Sequence, residues 1–324
     1  MRAVVVRAPG GPEQLQVDQV ADPVPGAGEL LVEVGAAGVN RADVLQRQGH
    51  YPPPPGAPDW PGMEISGVVS ALGPGTGGWS VGDRVAALLA GGGYAERAVA
   101  TAALCLPVPD GLATAEAAAL PEALATVWST LQAARFTDGD TLLVRGGSGG
   151  VGSVAVQVGH ALGHRVLATA GGPERCERVR ALGADVVVDH RLPGVADRVL
   201  TATEGRGVDV VLDVLGAGGL AENLAVLADG GRLAVIGLQQ GRRAELDLGL
   251  LLERRATVLG TTLRSRPLAQ KAAIMAEVRQ HLWPLVAAGA VRPVVHTHVP
   301  FDQAAHAHQL MESGAAFGKI LLVP

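Results

Sequence analysis

Hydrophobic and polar positions along the chain follow two different patterns. Over the first third, short apolar runs alternate with turns that are rich in Gly and Pro. These runs predict strands at Val4–Arg7, Glu29–Val34, Ile65–Ala71, Arg84–Leu88 and Ala95–Ala100. Short strands at this spacing are typical of a small, barrel-like β domain.

One predicted helix, Arg41–Gln48, interrupts these strands. Asn40 stands at its N-cap and Gly49 provides a left-handed stop. Asp43 occupies the third helical position, so Asn40 and Asp43 form a capping arrangement that requires no chemistry. The proline-rich stretch Tyr51–Pro58 cannot be helical and predicts a stiff, extended surface loop.

From about Leu120 the pattern changes to strands that alternate with amphipathic helices. The strands, rich in Val and Leu, are predicted at Thr141–Arg145, Arg165–Thr169, Val186–Asp189, Val208–Val214, Gly231–Ile236 and Thr257–Leu263. Helices are expected at Val151–Leu162, Pro173–Leu182, Val195–Thr203 and Gly219–Leu227. This alternation predicts an α/β domain whose parallel sheet is covered on both faces. Residues 269–324 return to one long helix and mixed strands, and Phe317–Val323 is expected to pair back into the first domain.

A glycine-rich loop, Gly146–Gly152, follows the predicted strand Thr141–Arg145 and opens a helix. Gly147, Gly149 and Gly152 satisfy the spacing G-x-G-x-x-G. That spacing allows a tight turn, close approach of the backbone to a pyrophosphate, and close packing of helix on strand. Such a run alone is often just a flexible turn, but the strand, helix and repeated β-α order around it indicate dinucleotide binding in a Rossmann domain.

The second strand of this domain indicates which dinucleotide binds. An NAD site normally carries an acidic residue there, but the strand ends in residues 168–172 with no carboxylate, and Arg175 follows. A guanidinium pairs with a 2′-phosphate, so NADPH is expected. The alternative is that Arg175 is a solvated helix charge. Gly237 and Leu238 follow a later strand at the carboxyl edge of the sheet, where cofactors bind.

Composition narrows the class of protein. A chain of 324 residues suggests two domains, and 48% hydrophobic with 18% charged residues excludes a disordered chain. The net charge of −5 argues against nucleic-acid binding. Cys105 and Cys176 form no CxxC pair and fit a reducing, cytoplasmic setting. No apolar run reaches the roughly 18 residues of a membrane span, and the first residues predict a strand, not a cleavable leader.

Several motifs together resemble the zinc-free quinone oxidoreductases of the medium-chain dehydrogenase/reductase superfamily, especially the tumour-suppressor-induced branch. The resemblance runs over essentially the whole chain. The motifs are Pro9–Glu13, Asn40–Asp43, Gln46–Gly49 with Tyr51, Leu72–Gly75, Gly91–Gly93, Pro121–Ala123, Gly146–Gly152 and Leu263–Arg266.

The resemblance implies a GroES-like β-barrel catalytic domain at residues 1–119, completed by 264–324, and a Rossmann NADPH-binding domain at 120–263. It places NADPH and substrate in a cleft between them. Asn40 and Met63 stand where zinc-dependent relatives carry Cys and His, so no metal site is expected. His296 and His298 share a strand face, but no third ligand is apparent and a structural role is favoured.

The resemblance also implies site residues. Tyr51 matches the family's active-site tyrosine, which would hydrogen-bond the substrate oxygen or protonate it; the alternative is an ordinary surface aromatic. Asn40 would face the nicotinamide, with capping as the alternative. The expected cofactor-binding residues are Thr126, Gly147, Ser148, Gly149, Gly150, Val151, Gly152, Gly171, Arg175, His190, Gly237, Leu238 and Arg264. For Arg264, which matches a position near the cofactor phosphates, the alternative is a solvated charge.

These observations predict an NADPH-dependent quinone reductase. Without zinc, the acceptor must take up a hydride with little help from a Lewis acid. A quinone does so readily, and an enone or enoyl thioester is the next easiest acceptor. An enoyl or enone reductase is therefore the alternative. RNA binding or a structural role, as in crystallin-like relatives, is disfavoured by the acidic balance. The β-branched edge strand Thr257–Thr262 predicts a homodimer formed by continuing the sheet.

Overall fold

The computed structural model describes residues Met1–Pro324. The chain divides into two units, with a first boundary at residues 125/126, where the sequence suggested 119/120, and a second at 262/263. The first unit comprises Met1–Ala125, Leu263–Gly289 and Pro293–Pro324; the second comprises Thr126–Thr262 and Ala290–Arg292. The return of residues 290–292 to the second unit has no signal in the sequence.

Fifteen strands and eleven α-helices follow one another along the chain. The strands are β1 (Arg2–Val6), β2 (Leu15–Gln19), β3 (Glu29–Gly38), β4 (Glu64–Leu72), β5 (Arg84–Leu88), β6 (Arg97–Thr101), β7 (Cys105–Pro107), β8 (Thr141–Val144), β9 (Arg165–Ala170), β10 (Val186–Asp189), β11 (Val208–Asp213), β12 (Leu227–Val235), β13 (Thr257–Gly260), β14 (Val295–Pro300) and β15 (Lys319–Val323). The helices are α1 (Arg41–Arg47), α2 (Thr114–Ala117), α3 (Pro121–Ala133), α4 (Gly150–Ala161), α5 (Pro173–Arg180), α6 (Val195–Ala202), α7 (Leu220–Ala225), α8 (Leu248–Glu253), α9 (Leu268–Glu277), α10 (Trp283–Ala287) and α11 (Ala304–Ser313).

The first unit is built on a seven-stranded sheet in the order β14-β15-β3-β4-β5-β7, with β6 also paired to β3. The C-terminal strand β15 pairs antiparallel with β3 and parallel with β14, which confirms that the chain end returns to the first domain. Apolar side chains such as Leu30, Ile65, Tyr94 and Phe301 form the core beneath this sheet. The unit thus draws its sheet from both ends of the chain.

The second unit holds a six-stranded sheet in which every neighbouring pair is parallel. Its order is β10-β9-β8-β11-β12-β13, which is the 3-2-1-4-5-6 order of a Rossmann fold. The predicted doubly wound α/β sheet is confirmed. Successive strands are added toward one edge of the sheet from β8 to β10 and toward the other edge from β11 to β13. The order therefore reverses between β8 and β11, and ligands bind at the carboxyl ends of the strands at such a switch point.

The long helix expected after residue 269 is present as a continuous helical run, Leu268–Ala287, but a π-helical turn divides it, and a second helix, α11, follows later in the segment. Helix α9 ends at Glu277, and a π-helical turn, Val278–Leu282, leads into α10. Pro284 lies in the first turn of α10 and has no N–H to donate, so a regular helix cannot continue through it. Strand β13 is also shorter than predicted and ends at Gly260.

None of the helices combines the length and the apolar character needed to cross a lipid bilayer. The largest exposed apolar side chains of the second unit include Leu248 and Leu252 on α8 and Val258 on β13. They lie at or near the edge of the sheet, since β13 is its terminal strand. An edge with an apolar surround favours pairing with another chain.

We expect a homodimer through β13, with a mass in solution twice that of the 32.9 kDa chain. Leu252→Glu, which places a charge on a side chain that is 77% exposed, should shift the protein toward the monomer. Light scattering after size exclusion measures this mass. Leu192→Glu, at a leucine that follows the opposite edge strand β10, is the matched control and should leave the dimer intact; a monomeric wild type would contradict the prediction.

Candidate active site

Backbone hydrogen bonds to one threonine fix the glycine loop of the second unit. Strand β8 is fully buried, and the chain turns at Gly146, whose φ is +78°. The Gly146 N–H donates to Thr169 Oγ1 at 3.0 Å, and the Gly147 N–H donates to the Thr169 carbonyl at 2.8 Å. Thr169, near the end of β9, was not among the predicted site residues, and its only signal in the sequence is its position at the end of the second strand.

The three motif glycines have different environments. A Cβ on Gly152 would overlap the carbonyl oxygen of Gly146, and one on Gly147 would lie 3.0 Å from both Ala168 Cβ and Val179 Cγ1. Gly149 is exposed, and the nearest atom to a Cβ there is the Gly146 oxygen at 3.5 Å. Gly147 and Gly152 therefore let the turn pack, while Gly149 leaves its outer surface open.

This loop fits a dinucleotide pyrophosphate. Helix α4 begins at Gly150 and runs for 12 residues, so its first N–H groups and its dipole favour an anion beside the open Gly149. The remaining predicted loop residues lie in the same turn: Ser148 is buried, and Gly150 and Val151 are half-buried.

A second turn, Gly171–Gly172, lies under basic side chains. A Cβ on Gly171 would meet His190 Nε2 at 2.9 Å and Arg191 Nε at 3.1 Å, so both side chains cover the turn. Asp189 is tied to the backbone, because its Oδ1 accepts from the N–H groups of Gly172 and Arg191, both at 2.9 Å. These hydrogen bonds lower the pKa of Asp189.

Cations also surround His190. Burial lowers the pKa of His190, the Asp189 carboxylate partly opposes this, and the charges of Arg145, Arg191 and Arg175 lower it further. Arg145 is 3% exposed and pairs with Glu222 at 2.5 Å, but its Nε and Nη1 have no hydrogen-bond partner. The predicted Arg175 and His190 thus come together with two arginines that sequence reasoning missed, and the excess positive charge suits an anion.

Of the other predicted cofactor contacts, Thr126, Gly237 and Leu238 lie in the same unit, whereas Arg264 lies in the first. Gly237 packs against the backbone of Val214, and Leu238 is 56% exposed just beyond β12. Thr126 is half-buried in α3. Asp213, at the end of β11, accepts from the N–H groups of Leu215 at 3.1 Å and Gly216 at 2.8 Å and so shapes the adjoining turn.

In the first unit, Asn40 belongs to a buried ionic cluster. Its Nδ2 donates to Glu64 Oε1 at 2.9 Å and to the Gly38 carbonyl at 3.3 Å, while its Oδ1 accepts from Lys319 Nζ at 2.5 Å. Lys319 also forms an ion pair with Glu64. All three side chains are under 8% exposed. The carboxamide of Asn40 is therefore committed on both sides to holding this cluster.

Asp43 closes the N-terminus of α1, as predicted. Its Oδ2 accepts from the Asn40 N–H at 2.8 Å and from the Tyr94 hydroxyl at 3.2 Å, and its Oδ1 accepts from the Gly62 N–H at 2.9 Å. Burial raises the pKa of Asp43 to about 6. The Tyr94 oxygen also lies 3.3 Å from Nε2 of the buried His308, whose pKa is lowered to about 3 by burial and by Arg47, so this histidine is neutral.

Tyr51 and Arg264 meet in the first unit. The guanidinium carbon of Arg264 lies 5.4 Å from the centre of the Tyr51 ring. Arg264 is 4% exposed, so the alternative of a solvated charge is wrong for this residue. Tyr51 itself is half-buried on its proline-rich loop, 51–58.

The structure contains no group of three or more His, Cys, Asp or Glu side chains arranged to hold a metal ion. Met63 is buried in the core at 2% exposure. His296 and His298 lie two residues apart on β14 and are both exposed, as expected for two residues on one strand face.

Comparison with known proteins agrees with this architecture. The family model of the alcohol dehydrogenase GroES-like domain matches residues 26–110, and that of the zinc-binding dehydrogenases matches residues 182–322. The quinone oxidoreductase of Rattus norvegicus is 32% identical over 330 residues, which is 100% of this chain and 98% of the relative. A phthioceranic/hydroxyphthioceranic acid synthase of Mycobacterium tuberculosis is 37% identical over 98% of this chain, but the chain spans only 15% of that relative's length.

Solved structures are also similar. The Escherichia coli quinone oxidoreductase, solved with NADPH, superposes with a TM-score of 0.89 at 29% identity, covering 100% of this chain and 99% of the other. A mycobacterial protein solved with NADPH gives a TM-score of 0.89 at 32% identity over 100% of both chains. Fold and loop define an oxidoreductase of the medium-chain dehydrogenase/reductase superfamily. The chain belongs to the quinone oxidoreductase family within it.

Glu122, at the start of α3, gives a test of the buried cluster. Burial and the neighbouring charge of Glu64 raise its pKa from 4.5 to about 8, although Lys319 opposes the shift. Since the unfolded chain ionises at lower pH, the folded state loses stability as the pH rises from 4.5 through 8. Compared with wild type, Glu122→Gln should therefore raise the free energy of unfolding increasingly across this range, and by about 1 kcal/mol or more above pH 8.

Urea unfolding at several pH values measures this difference. Glu13→Gln, at an exposed glutamate of the same unit, is the control and should leave the dependence on pH unchanged. Parallel stability curves for wild type and Glu122→Gln would show that the carboxyl at 122 does not titrate as described.

Proposed function

We propose that this protein is an NADPH-dependent quinone reductase that works by zinc-independent hydride transfer. The observation that carries the proposal is the pairing of an open glycine loop at Gly149 with the basic group over the Gly171–Gly172 turn. A pyrophosphate and a 2′-phosphate are the anions that suit these two sites. The NADPH in the two similar solved structures supports this assignment.

The second unit would hold the cofactor. Residues 147–152 would bind the pyrophosphate, Arg175, His190 and Arg191 would bind the 2′-phosphate, and Thr126, Gly237 and Leu238 would contact the rest. A bound NADPH supplies two electrons as hydride. A quinone that takes up this hydride and one proton becomes a hydroquinone. The Tyr51 phenol would hydrogen-bond to the substrate oxygen or donate that proton, which solvent then replaces.

The residues of the first unit do not fit the zinc that one matching family model describes in its name. Zinc needs three or four close ligands of the thiolate, imidazole or carboxylate type. Asn40 offers an amide that is already bonded to Lys319 and Glu64, and the Lys319 ammonium brings a positive charge beside Glu64. We therefore propose acceptors whose product anion is delocalised, because these need the least polarisation.

An enoyl or enone reductase is the second candidate. The identity of 37% to the mycobacterial synthase exceeds the 32% to the rat quinone oxidoreductase, and that synthase is named for making phthioceranic and hydroxyphthioceranic acids. In this reaction the hydride would add to the β-carbon of the conjugated bond and a proton to the α-carbon. The residues that would bind the cofactor are the same in both reactions.

The two thiols support a reducing compartment. Cys105 and Cys176 are both free and buried. Burial raises the pKa of Cys105 to about 12 and also raises that of Cys176. We propose a cytoplasmic location and a small-molecule substrate.

Arg191→Ala should weaken NADPH binding about tenfold and leave NADH binding unchanged, since a charge-assisted hydrogen bond to a phosphate contributes about 1.5–3 kcal/mol. Arg175→Ala should also reduce the preference for NADPH over NADH. Titrating the fluorescence of each reduced dinucleotide measures both affinities without turnover. Arg180→Ala, an exposed arginine of α5 paired with Glu177, is the control. Equal losses for both dinucleotides would remove these arginines from 2′-phosphate recognition.

Stopped-flow absorbance of the reduced cofactor tests the substrate class. Wild-type protein mixed with NADPH should oxidise it rapidly with simple quinones and more slowly with alkenals and crotonyl thioesters. The opposite order would favour the enoyl or enone reductase. No oxidation with any of these acceptors, or no affinity for either reduced dinucleotide, would refute the proposal.

A further inference from the structure

We infer that Arg264 is a positioning residue that holds Tyr51 and its loop in place, and that it is not a ligand of the cofactor phosphates. The inference rests on the proposed role of Tyr51 toward the substrate. It reassigns a residue that sequence similarity placed near those phosphates.

The guanidinium of Arg264 is already engaged within the first unit. Its Nε donates to the Ala90 carbonyl at 2.6 Å, its Nη2 donates to Gln46 Oε1 at 2.7 Å, and its Nη1 donates to the Tyr51 carbonyl at 3.4 Å. Each of its three nitrogens thus has an acceptor, and only 4% of the residue is exposed. A phosphate would have to displace short, buried hydrogen bonds to reach it.

The same guanidinium holds both the backbone and the ring of Tyr51. Besides the contact with the Tyr51 carbonyl, its carbon lies 5.4 Å from the ring centre, within the range of a cation–π contact. Two contacts of different kind to one residue restrict both its main chain and its side chain. The phenol is thereby held in one orientation before any substrate arrives.

Gln46 extends this restraint to the other end of the loop. Its Nε2 donates to the Asp59 carbonyl at 2.8 Å while its Oε1 accepts from Arg264. The loop from Tyr51 to Asp59 is therefore attached at both ends to one hydrogen-bonded pair, Gln46 and Arg264. Just beyond the loop, Trp60 Nε1 donates to the Gly92 carbonyl at 2.9 Å.

Space and charge around Arg264 agree with this role. A Cβ on Gly91 would lie 3.2 Å from Arg264 Nη2, so the glycine there leaves room for the guanidinium. Burial lowers the pKa of Arg264, and Asp43, Tyr51 and Glu122 oppose that shift. The guanidinium donates to the neutral oxygens of Ala90, Gln46 and Tyr51, so its contacts in this unit are hydrogen bonds that hold the loop.

A double-mutant cycle with Tyr51 tests the inference. Arg264→Gln should lower kcat/KM for the best acceptor by about 10- to 100-fold, as expected when a reacting group is misplaced by about 1 Å, with NADPH affinity within about twofold of wild type. If Arg264 acts through Tyr51, adding Arg264→Gln to Tyr51→Phe should cause little further loss. Arg264→Lys should restore part of the activity.

Gln46→Leu, which breaks the same pair at its other member, guards against misfolding of the arginine variants and should give a smaller loss of the same kind. Arg7→Gln, at an exposed arginine paired with Asp18, is the control and should behave as wild type. A loss of NADPH affinity of about tenfold or more in Arg264→Gln would make the arginine a phosphate ligand, and additive losses in the double variant would make its role purely structural. Either result overturns the inference.

Hydrogen exchange separates this inference from the proposed reaction. Amide exchange in the segment 50–60 requires no turnover, and Arg264→Gln should accelerate it there while leaving the segment around Gly146 unchanged. If none of the acceptors supports NADPH oxidation by the wild-type protein, the proposed function fails. Faster amide exchange in Arg264→Gln would still support the restraint of the loop. Unchanged exchange in the variant refutes it.

Discussion

The first unit depends on a charge pair that has no access to water. Lys319 and Glu64 lie together with Asn40 at the meeting point of the last strand, β15, the central strand β4 and the start of α1. Removing one member of a buried pair leaves an uncompensated charge, at a typical cost of about 3–5 kcal/mol. The pair therefore joins the C-terminal strand β15 to the N-terminal part of the chain, next to the start of α1. Burial raises the pKa of Glu122, Glu64 of this cluster adds to the shift and Lys319 opposes it, so the electrostatics of the cluster extend into α3.

The two units solve opposite electrostatic problems. In the first, the buried charges of Lys319 and Glu64 pair with each other, the buried Arg264 donates to protein oxygens, and Asp43 and His308 shift toward their neutral forms. In the second, Arg145 keeps two nitrogens without partners, and positive charge accumulates around His190. An interior whose ionic groups are already hydrogen-bonded suits the proposed uncharged acceptor. The excess of positive charge at the Gly171–Gly172 turn suits a ligand that brings its own phosphates.

Local patterns predicted the fold and the glycine loop well, since both depend on short-range constraints. The loop spacing, the capping by Asp43 and the parallel strands all follow from neighbours in sequence. The basic turn was only half predicted, because Arg175 closely follows the Gly171–Gly172 turn in sequence, whereas Arg191 follows a different strand, β10. For Arg264, burial could not be foreseen, because its acceptors at Ala90, Gln46 and Tyr51 lie more than 170 residues away in sequence. Pro284 is the signal in the sequence for the π-helical turn that divides the long helix, because a proline cannot donate to the regular α-helical ladder.

The burial of both thiols has a chemical consequence for the proposed reduction of quinones. Quinones and enones are electrophiles that alkylate cysteine by conjugate addition, and the attacking species is the thiolate. With the pKa of Cys105 raised to about 12, almost none of this thiol is ionised at neutral pH, and Cys176 is shifted in the same direction and shielded. The chain therefore exposes no thiolate to acceptors of the proposed classes. An enzyme built in this way withstands repeated encounters with reactive acceptors that would inactivate a protein with a surface cysteine.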